Sequence, residues 1–460
     1  MDPTQRFDPN KTVISGTPGV NQTQMMTSQP MAGDPNRTTA IGPLRGLETE
    51  VIASRQATLA NGPAREQFLV EFHGASVDGL PGMVAQGGRT PLNLCLVIDR
   101  SGSMEGAPLE YVKQAVSYVV DLLSPNDVLS IVTFEEMVEV LMPPQKVTNK
   151  QPIKDGVARL TAGNTTNLYD GLSLAAQQLS MFFEAGRATR MVVLSDGDPT
   201  AGIKDFSALV QYAGEIKQRG VTCTFLGFGP DYNEELIAGM AKKAGGNYYY
   251  IPRPELIPEI FRTELEKLMT VVARNLQLRM KLARWVNLRA ATGHSIPPGE
   301  REFTLSLADI ERGSTVQQVF DLEFTNHPLG WYRVASGSLA YEDSVSAKTE
   351  TVDLDFVMEF TADAARYSAP PDPRVTQAAD IAAASRVVEK TIMGLKTGQI
   401  TSMAAIAELQ KTQMLLLQDG RTSEAQEVTM ALRALQSGDS AQAEKTLMGT
   451  VVQLDQGKKN

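Results

Sequence analysis

Between residues 92 and 268 the sequence alternates between short apolar runs, which are typical of strands, and longer amphipathic stretches, which are typical of helices. The predicted strands are 92–98, 127–134, 137–142, 190–195, 221–228 and 247–251. The predicted helices lie near 107–123, 152–160, 168–184, 205–219, 232–244 and 254–268. This alternation predicts an α/β domain whose mostly parallel, Rossmann-like sheet carries helices on both faces. In such sheets ligands gather at the carboxyl ends of the strands.

Strand-like segments occur on both sides of this central region. Two precede it, and those that follow it alternate polar and apolar residues cleanly, at 276–282, 316–324, 331–335 and 352–360. Two or three strands cannot form a stable domain alone. We therefore predict one antiparallel β-sandwich that is shared by the two sides, with the central domain inserted into it. The predicted bounds are 44–90 and 270–366 for the sandwich and 91–269 for the insertion.

The two ends of the chain differ in composition. Residues 1–43 are rich in Pro, Gly, Thr, Asn and Gln and show no apolar period, which predicts a disordered tail. Beyond the prolines near residue 370, Gly and Pro become scarce, and a helical C-terminal domain is predicted at 374–460. Its predicted helices are 377–395, 403–417, 423–435 and 441–454.

A short phrase recurs within the tail, with a basic residue just before a threonine. It reads Asp-Pro-Asn-Lys-Thr up to Thr12 and Asp-Pro-Asn-Arg-Thr up to Thr38. The pattern suits a Ser/Thr kinase, and a phosphothreonine there would suit a phosphopeptide-reading module such as a forkhead-associated domain. A pair of Asx-Pro turns in a solvated tail is the alternative interpretation. Thr12 and Thr38 are therefore possible phosphorylation sites.

Three polar motifs follow or adjoin the central strands. Asp99, Ser101 and Ser103 form Asp-Arg-Ser-Gly-Ser directly after the first strand, and Asp196 ends a later apolar strand. Between them lies Gly-Asn-Thr-Thr-Asn, ahead of a predicted helix. Carboxylate and hydroxyl oxygens are the hard donors that Mg²⁺ prefers. Because Ser101 and Ser103 lie two apart on a tight loop, both hydroxyls can face one ion.

Together these motifs resemble the von Willebrand factor A (vWA) family and its metal-ion-dependent adhesion site, over roughly residues 91 to 262. The resemblance implies that Thr166 is the fifth donor, with Thr165 as the one-residue alternative. It also implies a bound Mg²⁺, or Mn²⁺ or Ca²⁺, with one coordination position that an Asp or Glu of a partner protein completes. Bacterial intracellular members of the family are similar in carrying an accompanying β-sandwich.

Bulk properties narrow the possible partners and locations. The formal net charge of −10 and the lack of a Lys/Arg block argue against nucleic acid. The amino terminus lacks a secretory pattern, and no run approaches the ~18 apolar residues of a membrane span. We therefore expect a cytoplasmic protein with neither a nucleic-acid nor a membrane partner.

The main enzymatic alternative is a metal-dependent phosphotransferase or hydrolase that forms an aspartyl-phosphate on Asp99, as in haloacid-dehalogenase-like proteins. Those enzymes need a second Asp two residues later, and this chain has Ser101 there. No glycine-rich nucleotide motif is present, and the three histidines lie outside the central domain. We therefore expect no enzymatic activity. The family resemblance leaves two non-enzymatic roles open: a scaffold near a Ser/Thr kinase, or a substrate-delivery or adaptor subunit of an AAA+ ATPase.

Overall fold

A computed structural model describes residues 46–75, 90–184, 186–196, 198–229 and 232–459. The predicted tail, with Thr12 and Thr38, lies outside these residues.

Strands and helices are numbered in chain order. The strands are β1 (Leu47–Ala53), β2 (Ala57–Leu59), β3 (Ala64–Gly74), β4 (Leu92–Asp99), β5 (Val128–Phe134), β6 (Val138–Lys146), β7 (Ala188–Ser195), β8 (Thr222–Phe228), β9 (Gly245–Ile251), β10 (Val271–Leu282), β11 (Val286–Ala291), β12 (Glu302–Ser306), β13 (Ile310–Glu311), β14 (Thr315–Phe324), β15 (Gly330–Asp343), β16 (Lys348–Thr361) and β17 (Lys458–Lys459). The helices are α1 (Ala107–Leu122), α2 (Gln151–Ala158), α3 (Leu168–Ser180), α4 (Phe206–Gln218), α5 (Glu234–Ala244), α6 (Ile257–Met269), α7 (Ala364–Tyr367), α8 (Pro373–Lys396), α9 (Ser402–Gln418), α10 (Thr422–Gln436) and α11 (Ser440–Asp455).

Strands from both sides of the central region form two packed sheets. One has the order β1-β3-β14-β11 with β17 beside β14, and the other has the order β12-β10-β15-β16-β2 with β13 beside β10. The pairings are antiparallel apart from β2 with β16. The two inner faces share a core in which the rings of Phe68 and Phe356 lie 5.6 Å apart. The upstream strands, too few to form a domain alone, thus complete sheets built mainly from downstream strands.

The central domain enters and leaves this sandwich at one place. Thr90 donates from its backbone N to the carbonyl of Met269 at 3.4 Å, and from its Oγ1 to the carbonyl of Val271 at 2.8 Å. The first residues of the inserted domain are therefore hydrogen-bonded to its last ones. Such a junction lets a whole domain sit within the connection between two sandwich strands.

The inserted sheet has the order β6-β5-β4-β7-β8-β9 and is parallel except for β6, which runs antiparallel to β5. Helices α1, α2 and α6 cover one face, and α3, α4 and α5 cover the other. Every residue of β4, β5, β7 and β8 is buried. This double burial explains why these strands read as continuous apolar runs. The carboxyl ends of β4 and β7 lie side by side at one edge of the sheet.

Helices α8 to α11 pack on one another around an apolar core. Asp372, Thr401 and Asp439 cap three of them through side-chain oxygens. Helix α11 also reaches the inserted domain, since Val452 and Met448 pack into the core beside β8 and β9. The predicted fold class is confirmed: a mostly parallel α/β sheet with helices on both faces, an antiparallel sandwich and a C-terminal helical segment. Among the residues that the structure describes, no helix combines the length and apolarity that a bilayer crossing requires.

Candidate metal centre

The site begins at Asp99, the last residue of the central strand β4. Its side chain is fully buried, and its two oxygens have different partners. Oδ1 accepts from the backbone N of Ser101 at 2.9 Å, and Oδ2 accepts from the Oγ of Ser195 at 2.7 Å. Because Ser195 ends β7, this one carboxylate fixes the turn of its own loop and joins the ends of two neighbouring strands.

Ser101, Ser103 and Asp196 bring their oxygens together beside Asp99. The two serine Oγ atoms lie 3.2 Å apart. Ser103 Oγ donates to Asp196 Oδ1 at 2.9 Å, and Ser101 Oγ lies 3.3 Å from the same oxygen. Neighbouring ligands of an octahedral Mg²⁺, each about 2.1 Å from the ion, are roughly 3 Å apart. This spacing fits a shared hard cation. Ser103 is exposed whereas Ser101 and Asp196 are buried, so the set opens toward solvent on the Ser103 side.

Thr166 lies on a second loop that is hydrogen-bonded to both of the others. Gly163 N donates to the carbonyl of Arg100 at 2.6 Å, and Thr200 N donates to the carbonyl of Thr166 at 3.0 Å. Thr166 N in turn donates to Thr200 Oγ1 at 2.8 Å. We call residues 99–104, residues 163–167, and residue 196 with 198–205 the first, second and third loops; together they form the metal edge. Thr166 thus sits between the two loops that carry the other donors.

The alternative donor, Thr165, has an unsatisfied hydroxyl. Its Oγ1 is buried and has no hydrogen-bond partner within the described part of the chain. A buried hydroxyl without a partner is unusual in a folded protein. Both threonines of the second loop therefore remain candidates for the fifth position.

The electrostatics of the edge are dominated by two carboxylates in a buried setting. The pKa of Asp99 is raised to about 6, mainly because the side chain is buried. Hydrogen bonds from Ser101 and Ser195 lower the pKa, and the nearby charge of Asp196 raises it. Ionising both acids in this place is costly unless a cation is shared between them. The donor set of two carboxylates and several hydroxyls suits Mg²⁺, Mn²⁺ or Ca²⁺ better than a thiolate-seeking metal.

Several residues that support the site were not singled out from the sequence. Ser195 holds Asp99, and Thr200 holds the second loop. Arg100 forms ion pairs with Glu135 and Glu139, each at 3.4 Å. Ser195 directly precedes Asp196 at a strand end, which is a usable signal. The role of Thr200 depends on the crossing of two distant loops and leaves no local pattern.

A second cluster of metal-type ligands lies on the sandwich. Glu50, Glu71 and His73 have ligand atoms within 4.8 Å of one another. The guanidinium of Arg374 lies 3.2 Å from Glu50 and 3.9 Å from Glu71. The positive charge beside these carboxylates is therefore that of an arginine side chain. The cluster is an ion-pair network that ties the start of α8 to the sandwich.

Comparisons with known proteins agree with this architecture. Residues 93–263 match the family model of the von Willebrand factor type A domain. The uncharacterized protein sll0103 of Synechocystis is 34% identical over 201 residues, which are 44% of this chain and 47% of that protein. The uncharacterized protein YfbK of Escherichia coli is 29% identical over 199 residues, covering 42% of this chain and 34% of that protein. The chain therefore spans less than half the length of these curated relatives.

A solved structure resembles most of the chain in fold. The von Willebrand factor type A protein from Catenulispora acidiphila covers 85% of this chain and 91% of its own, with a TM-score of 0.66. Its sequence identity of 16% makes this a likeness of fold alone. The family match shows that residues 93–263 of this protein form a von Willebrand factor type A domain, which is inserted into a β-sandwich and followed by a helical bundle.

Proposed function

We propose that this chain is a non-enzymatic interaction protein that binds a divalent cation at the metal edge and, through it, a carboxylate of a partner protein. The observation that carries the proposal is the clustering of Ser101 Oγ, Ser103 Oγ and Asp196 Oδ1 within 3.3 Å of one another. Mg²⁺ is the expected ion in the cell, and Mn²⁺ or Ca²⁺ fits the same oxygens.

The roles of the chain's own residues follow from their charge and exposure. Ser101, Ser103 and Thr166 would contribute neutral hydroxyls, so the ion keeps much of its positive field. Asp99 is buried behind them and orients the first loop through its bond to Ser101 N. When bound, the ion supplies an electrophilic position that a partner's Asp or Glu can occupy. Since Ser103 is exposed, a partner's carboxylate would approach from the Ser103 side.

The same geometry supports a role without catalysis. A carboxylate that forms an aspartyl-phosphate must be reachable by the substrate, whereas Asp99 is fully buried and accepts two hydrogen bonds. The neighbouring place for a general acid is held by Ser101, which is not an acid at physiological pH. Both features oppose the phosphotransferase alternative.

The class of partner and the control of binding extend the proposal. We expect the protein to act in the cytoplasm as a scaffold, and we expect phosphorylation at Thr12 or Thr38 by a Ser/Thr kinase to recruit a phosphopeptide-reading domain. An AAA+ ATPase is the alternative partner. Mass spectrometry of the captured proteins separates the two alternatives, because one predicts that an AAA+ ATPase is recovered and the other that a Ser/Thr kinase or a phosphopeptide-reading protein is recovered.

The test is affinity capture with tagged full-length protein in Mg²⁺ or in EDTA, together with direct titration of Mn²⁺ by electron paramagnetic resonance. Ser103→Ala should lose EDTA-sensitive partners and weaken Mn²⁺ binding by about tenfold or more. The control is Ser180→Ala, an exposed serine at the far end of α3. If Ser103→Ala retains the same EDTA-sensitive partners as the control, the site assignment is wrong.

A further inference from the structure

Exposed apolar side chains flank the metal edge. Met137, at the turn between β5 and β6, is 64% exposed, and Ile203 and Phe206, in and after the third loop, are 42% and 45% exposed. Single exposed apolar residues are ordinary, but a group beside a ligand site marks a contact surface.

Local contacts place Met137 and Ile203 beside the second loop. On one side, Glu135 Oε2 accepts from Asn164 N of the second loop at 3.1 Å, and Glu135 N donates to the carbonyl of Met137 at 3.2 Å. On the other side, the backbone of Gly202 lies so close to Asn167 that a Cβ added to Gly202 would be 2.2 Å from Asn167 Oδ1. Ile203 is the next residue in the chain after Gly202. Met137 and Ile203 therefore both adjoin the loop that carries Thr166.

The charge of this rim is negative. We call the described residues of the metal edge, together with Glu105 and residues 135–139, the rim. Its described residues include five exposed carboxylates and one exposed cation, Lys204; the acids are Glu105, Glu136, Glu139, Asp198 and Asp205. Arg100 is less exposed and already paired with Glu135 and Glu139. The charges of Asp99 and Asp196 would offset part of the charge of a bound dication. The rim would then repel a run of acidic residues while the ion still accepts one carboxylate.

We propose that the metal edge recognises a single Asp or Glu within a partner segment whose neighbouring residues are apolar and basic, and that it excludes acidic tracts. This inference rests on the proposed function, since the ion must bind the central carboxylate. The apolar neighbours would pack on Met137 and Ile203, and the basic neighbours would face the exposed acids of the rim.

The test uses three fluorescein-labelled peptides that share a central Asp, flanked by Leu and Lys, by Gly and Ser, or by Glu. Their binding to the full-length protein is measured by fluorescence anisotropy in Mg²⁺ and in EDTA. The Leu/Lys peptide should bind at least about fivefold more tightly than the Gly/Ser peptide in Mg²⁺, since burying part of one apolar side chain gives roughly that gain. The Glu-flanked peptide should bind most weakly.

Variants separate the rim from the ion. The double variant Met137→Ser with Ile203→Ser should remove the preference for Leu/Lys flanks while leaving Mn²⁺ affinity unchanged. Met181→Ser is the matched control, because Met181 is 63% exposed but lies at the opposite end of α3 from the metal edge. Glu136→Lys should improve binding of the Glu-flanked peptide.

The outcomes distinguish the two proposals. Mg²⁺-dependent binding of all three peptides with equal affinity would overturn the flank preference and leave the proposed function standing. The same holds if the Met137/Ile203 double variant keeps the preference. If the parent protein shows neither EDTA-sensitive capture of partners nor Mg²⁺-dependent binding of any of the peptides, the proposed function is wrong, and this inference with it.

Discussion

Among single residues, the two adjacent threonines of the second loop are the two candidates for the fifth donor. Family resemblance implies Thr166 as the donor. Both its backbone N and its carbonyl are hydrogen-bonded to Thr200. Thr165 carries the buried hydroxyl without a hydrogen-bond partner among the described residues. Valine has nearly the shape of threonine and lacks the hydroxyl, so it tests each oxygen separately.

We expect Thr166→Val to weaken Mn²⁺ binding by about tenfold or more, because it removes a donor to the ion. Thr165→Val should leave Mn²⁺ binding unchanged and leave stability equal or slightly higher, since no hydrogen bond is lost with the buried hydroxyl. Titration by electron paramagnetic resonance and thermal unfolding measure the two effects. The reverse ranking of the two variants would move the donor to Thr165.

The clustering of Asp99, Ser101, Ser103 and Asp196 was predictable because each lies in a short motif at the end of an apolar run. The residues that hold the donors were not, because their contacts join distant parts of the chain. Ser195 and Asp99 are separated by 96 residues, and Thr166 and Thr200 by 34. Which hydroxyl meets which carboxylate depends on the order of β4 and β7 in the sheet, which alternation alone leaves undetermined.

For whole elements, the sequence predicts most strand and helix bounds within a few residues, because doubly buried strands give uninterrupted apolar runs. The differences have local causes. Helix α8 begins at Pro373, earlier than the predicted 377, since Asp372 caps it and proline is favoured in a first turn. The last predicted helix of the inserted domain begins with a separate 3₁₀ turn at Pro254–Leu256 before α6.

The approach of the third loop to helix α3 depends on a glycine. Gly202 has φ +66°, and a side chain there would meet the oxygen of Asn167, which caps α3 and neighbours Thr166. Gly202→Ala should cost more than about 1 kcal/mol of stability, because the added Cβ meets Asn167 in addition to straining the backbone, and it should also weaken Mn²⁺ binding. Gly398 is the matched control, with φ +67° and open space around it. Gly398→Ala should cost only the backbone strain, about 1 kcal/mol, and should keep full Mn²⁺ affinity. Equal Mn²⁺ binding by both variants would contradict this role.

Helices α10 and α11 enclose a carboxylate whose titration should affect the stability of the bundle. Glu427 accepts from Thr450 Oγ1 at 2.9 Å and from Gln453 Nε2 at 3.0 Å. Its pKa is raised to about 7, mainly because the side chain is buried and also because of the charge of Glu424. The two hydrogen bonds and the charge of Lys267 lower the pKa. The folded protein therefore holds this proton more tightly than the unfolded chain does. Its contribution favours folding at low pH and is lost as pH rises from about 4.5 to about 7.

We expect Glu427→Gln to remove this part of the pH dependence and to be more stable than the parent at pH 8. Because the side chain is partly exposed, solvent screening limits the gain to about 1–2 kcal/mol. Thermal unfolding from pH 4.5 to 8 measures it. Glu408→Gln, at an exposed acid on α9, should follow the parent curve. Parallel curves for Glu427→Gln and the parent would show that Glu427 is charged throughout.

In the whole molecule, the inserted domain and the sandwich meet through buried charges as well as through the chain itself. Asp309, between β12 and β13, lies 2.6 Å from Arg190 of β7 and 3.4 Å from Lys217 of α4. Its carboxylate also accepts from Thr222 Oγ1 at 2.9 Å. These three side chains belong to the inserted domain and Asp309 to the sandwich. The sequence predicts both bodies, but not this junction, since charged residues so far apart form no recognisable pattern.

Replacing Asp309 with Asn should be among the most destabilising single changes in the protein. It leaves Arg190 and Lys217 buried without their acid, and breaking a buried pair in this way costs about 3–5 kcal/mol. The control is Asp355→Asn, which removes an exposed partner of Arg333 and should cost less than about 1 kcal/mol. Chemical denaturation followed by tryptophan fluorescence and by circular dichroism measures both variants.

The same measurement tests whether the junction makes the two domains unfold as one cooperative unit. Trp285 and Trp331 both lie in the sandwich, so fluorescence reports on the sandwich, whereas circular dichroism reports on both domains. If the junction couples the domains, Asp309→Asn should make the two probes report different midpoints. Coincident midpoints with an unchanged free energy of unfolding would show that the covalent insertion alone joins the domains.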